Sequence, residues 1–96
     1  MKYLVIDASL NGTGIRDKYA GGYLSLNNLG LNTNTLDQFN KWLLKYENEY
    51  YNGFFDNNII DELDKEGKEI ALMIKNELSD VKLEYFSDAK MTTEII

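Results

Sequence analysis

A chain of 96 residues is long enough for one small domain with a single core and too short for two. It contains neither cysteine nor histidine, which excludes disulfides, zinc–thiolate sites and catalysis that depends on imidazole or a thiolate. Sixteen acidic residues against ten basic ones give a net charge of −6, which disfavours binding to nucleic acid and favours a basic protein partner.

The first predicted strand spans Lys2 to Asp7, and its sequence KYLVID is apolar on both faces. Such a pattern is typical of a strand inside a sheet with cover on each side. The stretch ASLNGTG follows, in which Asn11 and Gly12 can supply the positive φ angles of a hairpin. A second, short strand is predicted over Tyr23 to Leu26, where leucines alternate with polar residues.

A first amphipathic helix is predicted from Thr35, because apolar residues then recur at spacings of three or four. Thr35 can cap this helix, with Gln38 completing a capping box, and Asn32 is the alternative cap. The dipeptide Asn52-Gly53 predicts its end. The predicted buried stripe consists of Leu36, Phe39, Leu43, Tyr46 and Tyr50, with Trp42 beside it.

A second helix is predicted from Asn58 to about Leu78, with Asp56, Asn57 and Asn58 as cap candidates. Gly67 lies on its buried stripe, where glycine costs about 1 kcal/mol relative to alanine. We therefore expect the first helix or the sheet to approach closely at Gly67. The rest of the stripe consists of Ile59, Ile60, Leu63, Ile70, Ala71, Ile74 and Leu78.

After a turn at Ser79-Asp80, the alternating sequence VKLEYF predicts a half-buried strand over Val81 to Phe86 that pairs with the first strand. The remaining residues, 88–96, either add a short strand or lie free. The predicted order is β-β-α-α-β. We therefore predict a single α+β domain, residues 1–96, in which two helices pack on one small sheet of three to four strands.

Neither a membrane segment nor a secretory signal is predicted. No window reaches the roughly 18 apolar residues of a membrane span, and the apolar run at the amino terminus ends at Asp7. The loop sequence GTGIRD lacks the third glycine of a dinucleotide fingerprint and the lysine of a phosphate-binding loop, so it favours a structural turn. We expect a cytoplasmic protein that contacts neither membrane nor nucleic acid.

Asp7 ends a strand before a loop of small residues, as in the first strand of the ribonuclease-H-like superfamily, whose members hold two metal ions with carboxylates. Glu62, Asp64 and Glu66 share the second helix, but their spacing predicts a solvated face. The chain is also too short for the five-stranded core of that superfamily. We predict no catalytic residue, metal or cofactor, and a metal-dependent carboxylate nuclease stays as the alternative.

Acidic and aromatic residues concentrate at the junction of the two helices. Five aromatic residues fall within residues 46–55, more than one stripe can bury, so at least one should reach the surface. Tyr46 and Tyr50 fit the core. Exposed aromatic rings surrounded by carboxylates suit a basic protein partner. The predicted partner-binding residues are Glu47, Glu49, Tyr51, Phe54, Phe55, Asp56, Asp61 and Glu62.

Four segments extend over most of the chain: MKYLVIDASLNGTGIRD, LNNLGL, FNKWLLKYENEY and LDKEGKEIALMIKNELSDVKLEYFSD. The most distinctive piece is Glu66-Gly67 followed by Ala71, and then the late strand with Tyr85 and Phe86. Together they resemble a small bacterial family associated with immunity proteins of contact-dependent inhibition and other polymorphic toxin systems.

This resemblance implies a cytoplasmic, non-enzymatic protein that blocks a cognate toxin protein by stoichiometric binding and is acidic when the toxin is a basic nuclease. It assigns no individual functional residue, because immunity surfaces differ between cognate pairs. An interaction module without an inhibitory role is the remaining alternative.

Overall fold

The computed structural model describes residues 2–10, 12–78 and 80–96. These residues form a four-stranded sheet with two α-helices, in the strand order β2-β1-β3-β4. The predicted α+β class with two helices and a small sheet is confirmed. The elements are β1 (Lys2–Asp7), β2 (Ile15–Asp17), a 3-10 turn (Leu26–Asn28), α1 (Thr33–Tyr51), α2 (Asn57–Glu77), β3 (Val81–Ser87) and β4 (Thr92–Ile95).

The predicted pairing of the first strand with the strand after the helices is confirmed. β1 and β3 run parallel, with Leu4 opposite Leu83 and Ile6 opposite Tyr85, because the connection between them passes through both helices. β2 pairs with β1 and β4 with β3, both antiparallel. β1 therefore lies inside the sheet as predicted, and residues 92–95 add a strand.

The second strand was predicted in the wrong place. It spans Ile15–Asp17 rather than Tyr23 to Leu26, and Tyr23 forms only an isolated bridge to Arg16. Leu26 begins the 3-10 turn. The alternating leucines of that segment pack at the margin of the core, and three-residue β2 is too short to show a period. The hairpin predicted at Asn11 lies outside the described residues, as does Ser79 of the turn before β3.

α1 begins two residues earlier than predicted, because Asn32 rather than Thr35 is its cap. The Asn32 side chain accepts a hydrogen bond of 2.8 Å from the Thr35 backbone N–H. The Thr35 hydroxyl instead donates to the carboxylate of Glu77, at the end of α2. This contact joins the start of one helix to the end of the other.

The predicted end of α1 is confirmed. Gly53 adopts a φ of +81°, and its N–H donates to the Tyr50 carbonyl at 3.1 Å. The Phe54 N–H donates to the Glu49 carbonyl at 3.1 Å. This pair of bonds is a Schellman motif, which satisfies carbonyl groups that the helix end leaves free and needs a residue without a Cβ at Gly53.

α2 begins after Asp56, which caps it by accepting the backbone N–H of Asn58 at 3.0 Å. The predicted close approach at Gly67 is confirmed, since a Cβ there would lie 2.6 Å from Cε2 of Tyr85 and 2.8 Å from Cζ2 of Trp42. Two residues of the predicted stripes, Tyr50 near the end of α1 and Ile59 near the start of α2, are exposed instead.

Single side chains, rather than a second helical layer, cover the outer face of the sheet. Val5 and Glu84 are buried there, although the alternation in β3 predicted an exposed Glu84. Lys18 reaches over the ring of Tyr3, with its Nζ 5.7 Å from the ring centre, and binds the Glu84 carboxylate at 2.7 Å. The ion pair compensates the burial of this charge.

Candidate functional site

The predicted partner-binding residues lie where the two helices meet, at the end of the molecule that we call the helical tip, residues 46–62. Two of its aromatic side chains point to solvent, since Tyr51 is 70% exposed and Phe55 89%. Phe54 is half-buried, and its ring packs edge-on against Tyr46 and Tyr50, at centroid distances of 5.9 and 5.8 Å. The tip therefore has an internal aromatic support and two exposed rings.

The backbone of the turn produces this arrangement. Gly53 and Phe54 have successive positive φ values, +81° and +56°, which reverse the chain in the few residues between the helices. Asp56 then starts α2 as its cap. Phe55 falls between the reversal and the cap, so its side chain leaves the helical packing and stands in solvent.

A groove of about 250 Å³ runs between the helices beside the turn. Ile59 and Leu63 supply apolar surface, and Glu49 and Glu62 supply carboxylates. Within the described residues neither of these two carboxylates lies in ion-pair distance of a lysine or arginine, whereas Lys45 binds Glu66 at 2.6 Å. The groove therefore presents two uncompensated negative charges over an apolar floor.

The other predicted acidic residues differ in their surroundings. Asp61 lies on the flank of α2 that faces β4, where it forms an ion pair with Lys90 and raises the pKa of that amine through the hydrogen bond. The Asp56 carboxylate is engaged as the helix cap, and Glu47 is half-buried on α1. The structure thus brings Glu49 and Glu62 to one groove and separates Asp61 from it.

The sequence prediction missed a buried carboxylate. Asp64, predicted on a solvated face, is only 5% exposed and accepts hydrogen bonds from three hydroxyls. Tyr85 donates at 2.7 Å and Tyr46 at 3.0 Å to one oxygen, and Ser87 donates at 2.8 Å to the other. The sequence could have indicated this burial, because Asp64 precedes Gly67 by three residues and so lies on the buried stripe of α2.

The tyrosine hydroxyls of this Asp64 cluster act as hydrogen-bond donors. Burial raises the pKa of Tyr46 to about 12 and raises the pKa of Tyr85 as well, so both hydroxyls stay protonated and donate to Asp64. The Tyr46 oxygen also accepts the N–H of Ala89 at 3.1 Å. Every polar group of the cluster has a partner, and the cluster fixes the turn between β3 and β4 against both helices.

Asp7, the starting point of the nuclease alternative, binds the chain's own arginine. Its carboxylate accepts Arg16 Nε at 2.9 Å and the Ser9 backbone N–H at 3.0 Å. The described residues contain no group of three or more acidic side chains arranged to hold a metal ion. This geometry does not favour a two-metal centre, and the nuclease stays a prediction that an activity assay would test.

Comparison with protein-family models, with curated proteins and with solved structures finds no match to this chain. In the part of the chain that the structure describes, no helix combines the length and apolar character needed to cross a membrane. The features that bear on function are therefore the chain's own surface chemistry and the geometry of the helical tip.

Proposed function

We propose that this chain is a cytoplasmic immunity protein, which binds a cognate toxin domain with a basic, nuclease-type surface and blocks its active site without chemistry of its own. The observation that carries the proposal is the helical tip, where the rings of Tyr51 and Phe55 are exposed and the carboxylates of Glu49 and Glu62 line a groove between the same two helices without an ion-pair partner among the described residues. The family resemblance of the sequence supports the same function.

The exposed rings suit a binding anchor. Aromatic side chains dominate the energy of protein interfaces when they enter a pocket of the partner and lose their water. Phe54, packed between Tyr46 and Tyr50, holds the turn in one conformation before any partner arrives. Such pre-organisation lowers the entropy lost on binding.

The charge of the tip supports a basic partner. The tip, residues 46–62, contains five acidic residues and no basic one, so it is negatively charged like the whole chain. A basic surface is attracted to such a field, which raises the association rate. In a nuclease that surface is the groove for the phosphate backbone, and carboxylates such as Glu49 and Glu62 would occupy the places of phosphates.

The direct test is co-expression with a toxin domain encoded by a neighbouring gene. We expect a stoichiometric complex and rescue of growth. Phe55→Ala and Tyr51→Ala should each weaken binding roughly tenfold or more, which corresponds to about 1.4 kcal/mol. Tyr19→Ala removes an equally exposed ring outside the tip and is the matched control. No complex and no rescue would refute the proposal, and equal effects of all three variants would place the interface elsewhere.

Charge reversal provides a second, kinetic test. Glu49→Lys and Glu62→Lys should slow association with the toxin, and the effect should shrink as salt screens the charges. Reversal at Glu47, Asp56 or Asp61 should act in the same direction, but Asp56 is a helix cap and Asp61 binds Lys90, so those variants also change stability. Association rates unchanged in every variant would show that the tip does not meet the toxin.

A further inference from the structure

The outer edge of β4 offers unpaired backbone groups. The Ile96 N–H donates to the Leu83 carbonyl at 2.9 Å, and because hydrogen-bonded pairs alternate along an antiparallel ladder, Glu94 and Thr92 also bond inward to β3. Thr93 and Ile95 therefore direct their N–H and C=O groups away from the sheet. All four residues of β4 are exposed.

The opposite edge of the sheet, at β2, is covered by another segment of the chain. Residues 22–24 run along β2, where the Leu24 N–H donates to the Ile15 carbonyl at 2.9 Å and the Asp17 N–H to the Gly22 carbonyl at 3.0 Å. Natural proteins blunt an open edge with lysine, proline or a covering segment. Residues 91–96 contain no lysine, proline or glycine, and no other described segment runs along β4, so its outward N–H and C=O groups are open to a partner strand.

Apolar side chains flank the open edge. Met91 and Ile95 stand two residues on either side of Thr93, and both are exposed, Ile95 by 77%. Leu72 of α2 is 52% exposed and lies above the same edge. Its position follows from its neighbours on the helix, since Lys68 binds the Glu94 carboxylate at 2.8 Å and Lys75 the Ile96 carbonyl at 2.6 Å.

We propose that this edge is the interface of a symmetric homodimer, in which β4 pairs antiparallel with β4 of a second copy and the two sheets become one of eight strands. Residues 92–94 of β4 are self-complementary about Thr93. A two-fold axis there sets Thr93 against its copy and Thr92 against Glu94, so no two carboxylates meet. Ile95 then lies at the end of the paired segment, next to the turn of the other copy that contains Met91.

This edge differs in charge from the toxin-binding tip. The flank of α2 beside β4 carries lysines, of which Lys68 is paired with Glu94 and Lys75 binds the Ile96 carbonyl, whereas residues 46–62 contain five acidic residues and no basic one. The tip lies at the other end of α2, about 20 Å from Leu72 at the rise of an α-helix. Both tips stay free in the dimer, which can bind two toxin molecules. Pairing of two short strands buries little surface, and contact between the α2 flanks at Leu72 of both copies enlarges the interface.

The test is the oligomeric state of the purified chain, measured by sedimentation equilibrium over a series of concentrations. We expect a monomer–dimer equilibrium. Leu72→Lys and Ile95→Lys should shift it to monomer, with at least a tenfold rise in the dissociation constant. Leu44→Lys places the same charge at a leucine of α1 that is 59% exposed, and it should leave the dimer intact. A monomer at every concentration, an open-ended polymer, or equal loss in Leu44→Lys would each overturn the proposal.

Cysteine trapping tests the register. Because the chain has no cysteine, Thr93→Cys introduces a single thiol. Residues facing each other in a hydrogen-bonded antiparallel pair have Cα atoms roughly 5.5 Å apart, a separation that suits a disulfide. Mild oxidation should yield a covalent dimer of Thr93→Cys and far less of Ser25→Cys, on an exposed loop. Equal yields would overturn the axis at Thr93. Neither test involves a toxin, so its outcome is independent of the proposed immunity function.

Discussion

The Tyr85 hydroxyl donates a hydrogen bond of 2.7 Å to the Asp64 carboxylate, inside the contact between the sheet and α2. Tyr46 of α1 donates to the same oxygen, and Ser87 at the end of β3 donates to the other. One buried carboxylate therefore links both helices to β3, and three hydroxyl donors rather than a cation surround it.

Replacing Asp64 should destabilise the fold more than any other single carboxylate of α2. Asp64→Ala leaves three buried hydroxyls without their acceptor, and each unsatisfied group costs about 1–3 kcal/mol, so we expect a loss of roughly 3 kcal/mol or more in the free energy of unfolding. Urea denaturation followed by circular dichroism measures it. Glu62→Ala, on the exposed side of the same helix, is the control and should change stability by about 0.5 kcal/mol or less. Equal losses would contradict the structural role of the cluster.

Alkaline pH should destabilise the protein, because two of its tyrosines ionise less readily in the folded chain than in the unfolded chain. Burial raises the pKa of Tyr46 to about 12 and also raises that of Tyr85, so the unfolded chain loses these protons first as the pH rises. Stability is complete below pH 10 and falls above it, by about 1.4 kcal/mol per pH unit for each tyrosine that is ionised only in the unfolded chain. Denaturation curves between pH 9 and 12 measure the slope, which should be smaller in Tyr46→Phe. An unchanged slope would contradict the assignment.

Gly67→Ala should destabilise the protein although alanine is the better helix former. Its Cβ would lie 2.6 Å from Cε2 of Tyr85 and 2.8 Å from Cζ2 of Trp42, two buried rings that cannot move freely. Overpacking of this kind costs about 1–3 kcal/mol, against about 1 kcal/mol gained in helix propensity. Thermal unfolding should show a lower midpoint. Gly22→Ala, with no described atom within 4 Å of its new methyl group, should leave the midpoint nearly unchanged.

Asn32→Ala should cost about 1 kcal/mol, because the Thr35 N–H loses its acceptor at the start of α1. Asn34→Ala lies two residues away inside the first turn, removes no cap, and should be neutral or slightly stabilising through helix propensity. Urea denaturation of both variants gives the comparison. A loss in Asn32→Ala no larger than that in Asn34→Ala would contradict the cap at Asn32.

The sequence alone was sufficient to predict the two helices, the strands β1 and β3, and the pairing of these strands. Each of these elements has a clear hydrophobic pattern and ends at a recognisable residue. Gly53 marked the end of α1, and Asp56 stood among the cap candidates of α2. The close approach at Gly67 followed from a glycine on a buried stripe. These are local signals, and the helix and strand periods are properties of neighbouring residues.

Only the tertiary structure decided which polar side chains are buried and which charges are free. Asp64 is buried because Tyr46, Tyr85 and Ser87, all at least 18 residues away along the chain, supply its hydrogen bonds. Asp61 forms an ion pair with Lys90, whereas Glu62 beside it forms none among the described residues, because Lys90 lies on the flank of α2 that carries Asp61. The position of β2 likewise depended on its neighbour β1 rather than on its own three residues. The spacing of apolar residues indicates which face of one helix or strand is buried. Whether a charged side chain finds a partner depends on residues that are distant in sequence and that only the fold brings together.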